Sequence, residues 1–308
     1  MRTVLLSLLF CSLLNGVTRA NSCPLILDDG VGRQVMLAQP AQRVIALSRG
    51  GLEIVLALGG NVAGHPSLRG IALPEAVRSL PMVGDVVTPN LEVLMQTAPD
   101  LIIAPAQAHG DVAERLKVLQ TPLYLSRVKS VTHALRTIRD IGALLNADPQ
   151  AATLCASLER QLAEARMTIP LGSQPRTVLL FGTSQSFFVI APHTFAGDLL
   201  RLAGGENVAT AIMRRQTGAP GTEMEYLPLS LEDLLQVDPE VIAVVSHGDP
   251  ELVTAALNNE LGIHPAWRTL SAVQQGRVRV LPAELLSSDA GPEFPKALRL
   301  LIEVVHGR

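Results

Sequence analysis

Apolar residues follow two alternating rhythms along this chain. Short apolar runs at residues 43–47, 100–105, 122–125, 177–181, 187–191, 241–246 and 277–281 have the length and β-branched content of buried strands, and Val62-Ala63-Gly64-His65 begins another. Between them come stretches of helical spacing at 48–58, 90–97, 109–120, 131–145, 195–203, 231–236, 251–258 and 295–305. Ser48 stands as an N-cap, and Gly59-Gly60 and Gly204-Gly205 close their helices. Leu25-Ile26-Leu27 and Val35-Met36-Leu37 flank a Gly-rich turn and predict a hairpin. This alternation predicts an α/β fold built on mostly parallel sheets. Residues 81–85 and the long stretch 213–228 show neither rhythm and are expected as loops.

The longest helical stretch, 148–169, sits mid-chain. Asp148 is placed as its N-cap, Pro149 as its first helical residue, and Pro170 and Gly172 as its stop. Ala151, Leu154, Cys155, Leu158, Leu162, Ala165 and Ile169 form one apolar stripe, with Glu159, Arg160, Gln161, Glu164 and Arg166 opposite. At 1.5 Å per residue such a helix spans roughly 30 Å, about the width of a small domain. Periodicity alone leaves it either a strut between two lobes or a surface helix of one domain. The flanking halves decide for a strut, because Leu91-Glu92 with Pro99-Asp100 and a strand recurs as Leu231-Glu232 with Pro239-Glu240 and a strand.

Composition adds limits. With 308 residues, 48% hydrophobic and 17% charged, the chain can bury one large core or two lobes. A formal charge of -3 excludes a broad basic surface, so no nucleic-acid partner is expected. One Trp, two Tyr and six Phe leave little aromatic stacking for any ligand site. Arg2, the apolar run 4–14 and Thr18-Arg19-Ala20 read as a signal peptide over residues 1–20, hence export to the periplasm. Cys11 leaves with it. Cys23 and Cys155 then either form one disulfide or stay free, Cys155 as a buried thiol. Cys23, in Ala20-Asn21-Ser22-Cys23, is alternatively a lipid-anchor site, although the usual Leu three residues earlier is missing.

An ordered set of motifs carries a resemblance. Asp28-Asp29-Gly30-Val31-Gly32-Arg33 is followed by Pro40-Ala41-Gln42-Arg43-Val44-Ile45, Pro89-Asn90-Leu91-Glu92 and Pro99-Asp100-Leu101-Ile102. Gly197-Asp198-Leu199-Leu200, Gly204-Gly205-Glu206-Asn207, Leu231-Glu232-Asp233-Leu234 and Arg277-Val278-Arg279-Val280-Leu281-Pro282 complete it. The chain resembles the helical-strut class of ABC-transporter substrate-binding proteins, carriers of ferric siderophores, haem, cobalamin and similar metal chelates. The resemblance implies two Rossmann-like lobes, residues 21–145 and 171–308, joined by one long rigid helix within 146–170. The ligand cleft lies between the lobes, and closure is small. It also implies a monomer that delivers its ligand to an ABC permease and its ATPase, with no catalytic cofactor.

The second lobe is most similar to haem-binding members, some of which use the His of a His-Gly-x-Pro-Glu motif as an axial iron ligand. His247, in Ser246-His247-Gly248-Asp249-Pro250-Glu251, matches it. Other members place a Tyr or Met in a first-lobe loop, where this chain has Asp85 or Val87, so no second axial ligand carries over. Further ligand-site candidates are Ser48 and Arg49 at a helix start suited to an anion, His65 and His109 at first-lobe strand ends, and Arg214, Arg215 and Tyr226 on the long loop. The resemblance assigns Glu92 and Glu232, one per lobe, to permease docking. Tetrapyrrole chelatases resemble the same bilobal fold, and a sensor without a transporter is the other alternative. Against an enzyme, the chain has no Gly-x-Ser-x-Gly elbow, phosphate loop or His-Glu-x-x-His.

Overall fold

The computed structural model describes residues 24–68, 73–85, 87–106, 110–217, 224–286 and 291–307. The expected signal peptide, Cys23 and His109 lie outside them. A hairpin of β1 (Leu25–Asp28) and β2 (Gln34–Leu37) opens the chain. There follow β3 (Val44–Ala46), α1 (Arg49–Ala57), β4 (Val62–Ser67), β5 (Met82–Asp85), α2 (Leu91–Thr97), β6 (Leu101–Pro105), α3 (Gly110–Leu116) and β7 (Leu123–Ser126). These strands form a parallel sheet in the order β5-β4-β3-β6-β7. Helices α4 (Val131–Leu144) and α5 (Asp148–Arg166) then lead into the second lobe.

That lobe comprises β8 (Arg176–Gly182), β9 (Phe187–Ile190), α6 (Phe195–Leu202), β10 (Glu206–Asn207), α7 (Ala209–Thr217), β11 (Tyr226–Pro228), α8 (Leu231–Val237) and β12 (Val241–Ser246). It continues through α9 (Pro250–Leu257), α10 (Ser271–Gln274), β13 (Val278–Pro282), α11 (Ala283–Leu286) and α12 (Phe294–His306). Its sheet runs β11-β9-β8-β12-β13, with β8, β12 and β13 parallel and β9 antiparallel to both its neighbours.

The duplication is visible in hydrogen bonds. Asp100 accepts from the backbone N–H of Gln42 (2.7 Å) and Arg43 (2.9 Å), and the Arg43 guanidinium donates to the carbonyl of Thr97 (2.6 Å) at the end of α2. In the second lobe Glu240 accepts from the backbone N–H of Arg176 (2.9 Å), whose guanidinium donates to the carbonyl of Val237 (2.9 Å) at the end of α8. Each lobe thus ties a strand start to a helix end with one arginine and one carboxylate, satisfying carbonyls the helix leaves free.

The strut is α5. Ala151, Cys155, Leu158, Leu162 and Ala165 are buried, and the helix packs on α4 on one side and α12 on the other. One continuous apolar cluster runs from the first sheet through α4, α5, α6 and α12 to Leu179, Ala243 and Val245 of the second sheet. The lobes therefore share a core. Cys155 is a free buried thiol facing the Leu135 carbonyl (3.6 Å), and burial pushes its pKa up.

Three expectations need correction. Ala147, not Asp148, is the N-cap of α5, because the turn through left-handed Asn146 (φ 54°) delivers Asp148 already inside the first turn, where its charge favours the helix dipole. Residues 82–85 are strand β5, hidden in sequence by Pro81 and by Gly84, whose φ of 100° and close approach to the Asn90 nitrogen need a glycine. The stretch 213–228 is not one irregular loop: α7 runs to Thr217 and β11 occupies its end. Helix α7 buries Ala209, Ile212 and Met213 but carries no long apolar stripe.

At the α4–α5 crossing, a Cβ on Gly142 would lie 2.5 Å from the Ala151 Cβ, whereas one on Gly262 would meet nothing closer than 3.6 Å. Gly142→Leu is expected to destabilise the protein by about 1–3 kcal/mol, lowering the thermal midpoint by a few degrees in circular dichroism. Gly262→Ala should leave that midpoint almost unchanged.

Candidate ligand cleft

Between the lobes lies a crevice of about 140 Å³. One wall is the second sheet's inward face, with Phe181 from β8, Ile190 from β9, Tyr226 from β11 and Val245 from β12. Facing it are Val128 and Lys129, from the loop after β7, and Phe195 and Ala196, at the start of α6. His247, directly after β12, completes the rim. Crevices of this kind, at strand ends of open α/β sheets, are where such folds bind ligands.

The motif around His247 has a backbone explanation residue by residue. The His247 N–H donates to the Gly182 carbonyl (2.7 Å), extending the sheet by one bond. Gly248 turns the chain at φ 112°, Asp249 caps α9 by accepting from the Glu251 N–H (2.8 Å), and Pro250 starts the helix. His247 is left exposed, its ring 5.2 Å from that of Phe181. Tyr226 meets the same Phe181 ring edge-on at 5.2 Å, and Phe188 stands at 6.4 Å. Outside residues 1–20, every Phe and the single Trp lie in the second lobe. Scarce aromatics do not mean an aromatic-free site.

Burial, and then the neighbouring Glu225, raise the pKa of Tyr226, so it stays a neutral phenol. Among the described residues three polar contacts cross between the lobes. Lys129 pairs with Glu225 (3.5 Å), Arg49 reaches Glu293 (3.8 Å), and Asp198 accepts from the Val131 N–H (2.9 Å).

Of the candidates, Tyr226 and His247 are brought together on the crevice. Ser48 is buried and caps α1, accepting from the Gly51 N–H (3.3 Å). Arg49 begins that helix but is held by Glu53 (2.6 Å) as well as Glu293. His65 lies buried within β4, with Nδ1 2.9 Å from the Pro66 carbonyl, so it belongs to the lobe interior and not to the crevice. Asp85 ends β5 beside Ser67. Arg214 and Arg215 are not a loop rim: Arg215 is fixed by Asp233 (3.1 Å), and Arg214 lines a separate groove with Arg176 and Gln236. That groove lies by Arg176, the first residue of β8, while the crevice reaches His247 beyond the last residues of β12. Glu92 and Glu232 are exposed second residues of α2 and α8, two seven-residue helices with left-handed C-caps at Ala98 and Asp238.

Phe181, Lys129 and Glu225 were missed. Each had a signal: Phe181 ends an apolar strand, Lys129 follows one, and Glu225 adjoins Tyr226. Among the described residues no group of His, Cys, Asp and Glu is arranged to hold a bare metal ion, and no helix is long and apolar enough to cross a membrane.

In a spectrophotometric alkaline titration, Tyr226→Phe should remove a phenolate transition lying above the ordinary tyrosine value of 10.0. Glu225→Gln should move that transition down, because it removes a negative charge that opposes the phenolate. An unchanged transition in Glu225→Gln would show that the carboxylate does not act on the phenol.

Comparison with known proteins accords with this architecture. The high-affinity heme uptake system protein IsdE of Staphylococcus aureus is 24% identical over 236 residues, which span 76% of this chain and 77% of IsdE. The crystal structure of IsdE complexed with heme superposes with a TM-score of 0.73 at 22% identity, over 86% of this chain and 98% of that one. An ABC-transporter substrate-binding protein from Listeria monocytogenes matches with a TM-score of 0.77 at 23% identity, covering 88% of this chain and 100% of its own. Staphylococcus aureus SirA complexed with staphyloferrin B gives 0.73 at 18% identity, over 92% and 98%. These structural likenesses establish the fold. The model of the periplasmic binding protein family matches residues 44–285, through both sheets and the strut between them, and the chain belongs to that family.

Proposed function

We propose that this chain is the solute receptor of an ABC importer, exported to the periplasm, binding an iron-centred chelate and handing it to a permease and ATPase. Haem is the favoured ligand. The observation that carries this is the exposed His247 ring on an aromatic interlobe crevice, held there by a motif whose other residues have backbone roles. A neutral imidazole is a common iron ligand, and an apolar wall of Phe181 and Tyr226 suits a flat macrocycle. Similarity to IsdE, a heme uptake protein by name, supports the same choice. His247, its ring exposed beside Phe181, is the axial ligand the second lobe offers.

A ferric siderophore is the second reading, supported by similarity to SirA complexed with staphyloferrin B and by the cation Lys129 on the first-lobe wall. The protein acts as a monomer and does no chemistry on its ligand. Glu92 and Glu232, exposed at matching places in the two lobes, dock the receptor on the permease. Charges so placed set orientation and encounter rate more than affinity.

Haemin added to the mature protein is expected to give a shifted Soret band, and His247→Ala to abolish or displace it. A shift that survives this substitution unchanged rejects the axial-ligand role. Separately, Glu92→Ala with Glu232→Ala should abolish uptake in cells or in vesicles containing the permease while leaving ligand affinity intact. Normal uptake by that double variant would exclude the docking role.

A further inference from the structure

Among the described residues two ion pairs cross between the lobes, and both have the same polarity. The first lobe contributes the cations Arg49 and Lys129, and the second contributes the carboxylates Glu293 and Glu225. They are not equivalent. Arg49 keeps a partner on its own helix, Glu53 at 2.6 Å, so losing Glu293 would leave it paired. Lys129 and Glu225 instead face each other on the crevice itself, 3.5 Å apart, both mostly buried with side chains 29% and 21% exposed. The other titratable side chains lining that crevice are Tyr226, a neutral phenol, and His247.

We propose, on the reading of this crevice as the ligand site, that Lys129 is the residue that selects ligands bearing an acidic group, and that Glu225 occupies its place until one arrives. The Glu225 backbone is fixed by its carbonyl, which accepts from the Ala191 N–H (2.9 Å), so only its side chain need swing away. An acidic ligand exchanges one carboxylate partner of Lys129 for another and loses little. A neutral ligand of the same shape must either leave the pair intact and lose space or break it and strand a half-buried ammonium. Selectivity thus comes from a penalty on the wrong ligand as much as from a contact with the right one. The two pair members then affect affinity in opposite directions: removing Glu225 frees Lys129 for the ligand, and removing Lys129 deprives the ligand of its partner.

The test uses the full mature chain with haemin, haemin dimethyl ester, whose propionates are masked, and ferric citrate, an acidic chelate without a macrocycle. For haemin, Glu225→Gln is expected to tighten binding several-fold and Lys129→Gln to weaken it by about tenfold, the scale of one half-buried charge pair. The ester should not be weakened by Lys129→Gln and should bind that variant more tightly than the wild type, because no ammonium is left to strand. The charge-exchanged variant, Lys129→Glu with Glu225→Lys, restores a pair across the cleft but puts a negative charge on the first-lobe wall, so it should stay weak for haemin. Recovery of wild-type affinity in that variant would make the pair a structural tie and overturn the proposal. Haemin binding that is equal in all variants would overturn it while leaving the haem reading standing. If ferric citrate binds and follows the same order while haemin does not bind, the haem reading falls and the role of Lys129 holds. Failure of both probes to bind the wild type rejects the two together.

Discussion

The lobes are held by a core they share. Because α5 buries its stripe against α4 of one lobe and α12 of the other, and Gly142 lets α4 and α5 approach to side-chain contact at Ala151, neither lobe can swing far without exposing that cluster. Side chains at the rim and the polar contacts that span the crevice can rearrange without opening that core. A receptor built this way discriminates by charge and shape at fixed positions, which is why the identity of each rim side chain matters more here than in a clamp with a long hinge stroke.

Duplication explains the rest of the frame. The Arg43–Asp100 and Arg176–Glu240 ties anchor the ends of α2 and α8 to strand starts in the same way, with Glu92 and Glu232 each the second residue of its helix. The lobes diverge at the crevice. In the first, β3 passes through α1 to a parallel β4, but in the second β8 turns straight back into antiparallel β9. That hairpin brings Phe188 beside Phe181 and lets β11 add Tyr226 at the edge. One lobe supplies the aromatic wall, and the other supplies Val128 and Lys129.

Most of this frame was legible in the chain. Buried strands announce themselves as apolar runs, and the repeat of Leu-Glu segments on either side identified the long helix as a strut where its own periodicity could not. Helix α7 was not, because its residues are mainly Thr, Arg and Gln, and its few apolar positions are buried by tertiary contacts that no local pattern records. Arg214 and Arg215 were consequently assigned to a rim when Arg215 was already engaged by Asp233 on a neighbouring helix. The crevice itself was half legible. Composition counted the aromatics but not their clustering, and Lys129 with Glu225, 96 residues apart in the chain, meet only through the packing of the two lobes.

The sharpest separation of structure from function comes at Ser246-His247-Gly248-Asp249-Pro250. Ser246 donates to the Leu281 carbonyl (3.1 Å) within the sheet, Gly248 supplies a turn that other residues rarely adopt, Asp249 caps α9, and Pro250 opens it. Each of these side chains, or its absence, is required by the fold. His247 uses only its backbone N–H, and its ring, exposed beside Phe181, makes no hydrogen bond among the described residues. Any residue but proline could donate that N–H. The imidazole at the mouth of an apolar crevice, in a segment where every neighbour has a structural role, is therefore the group on which the proposed ligand role rests.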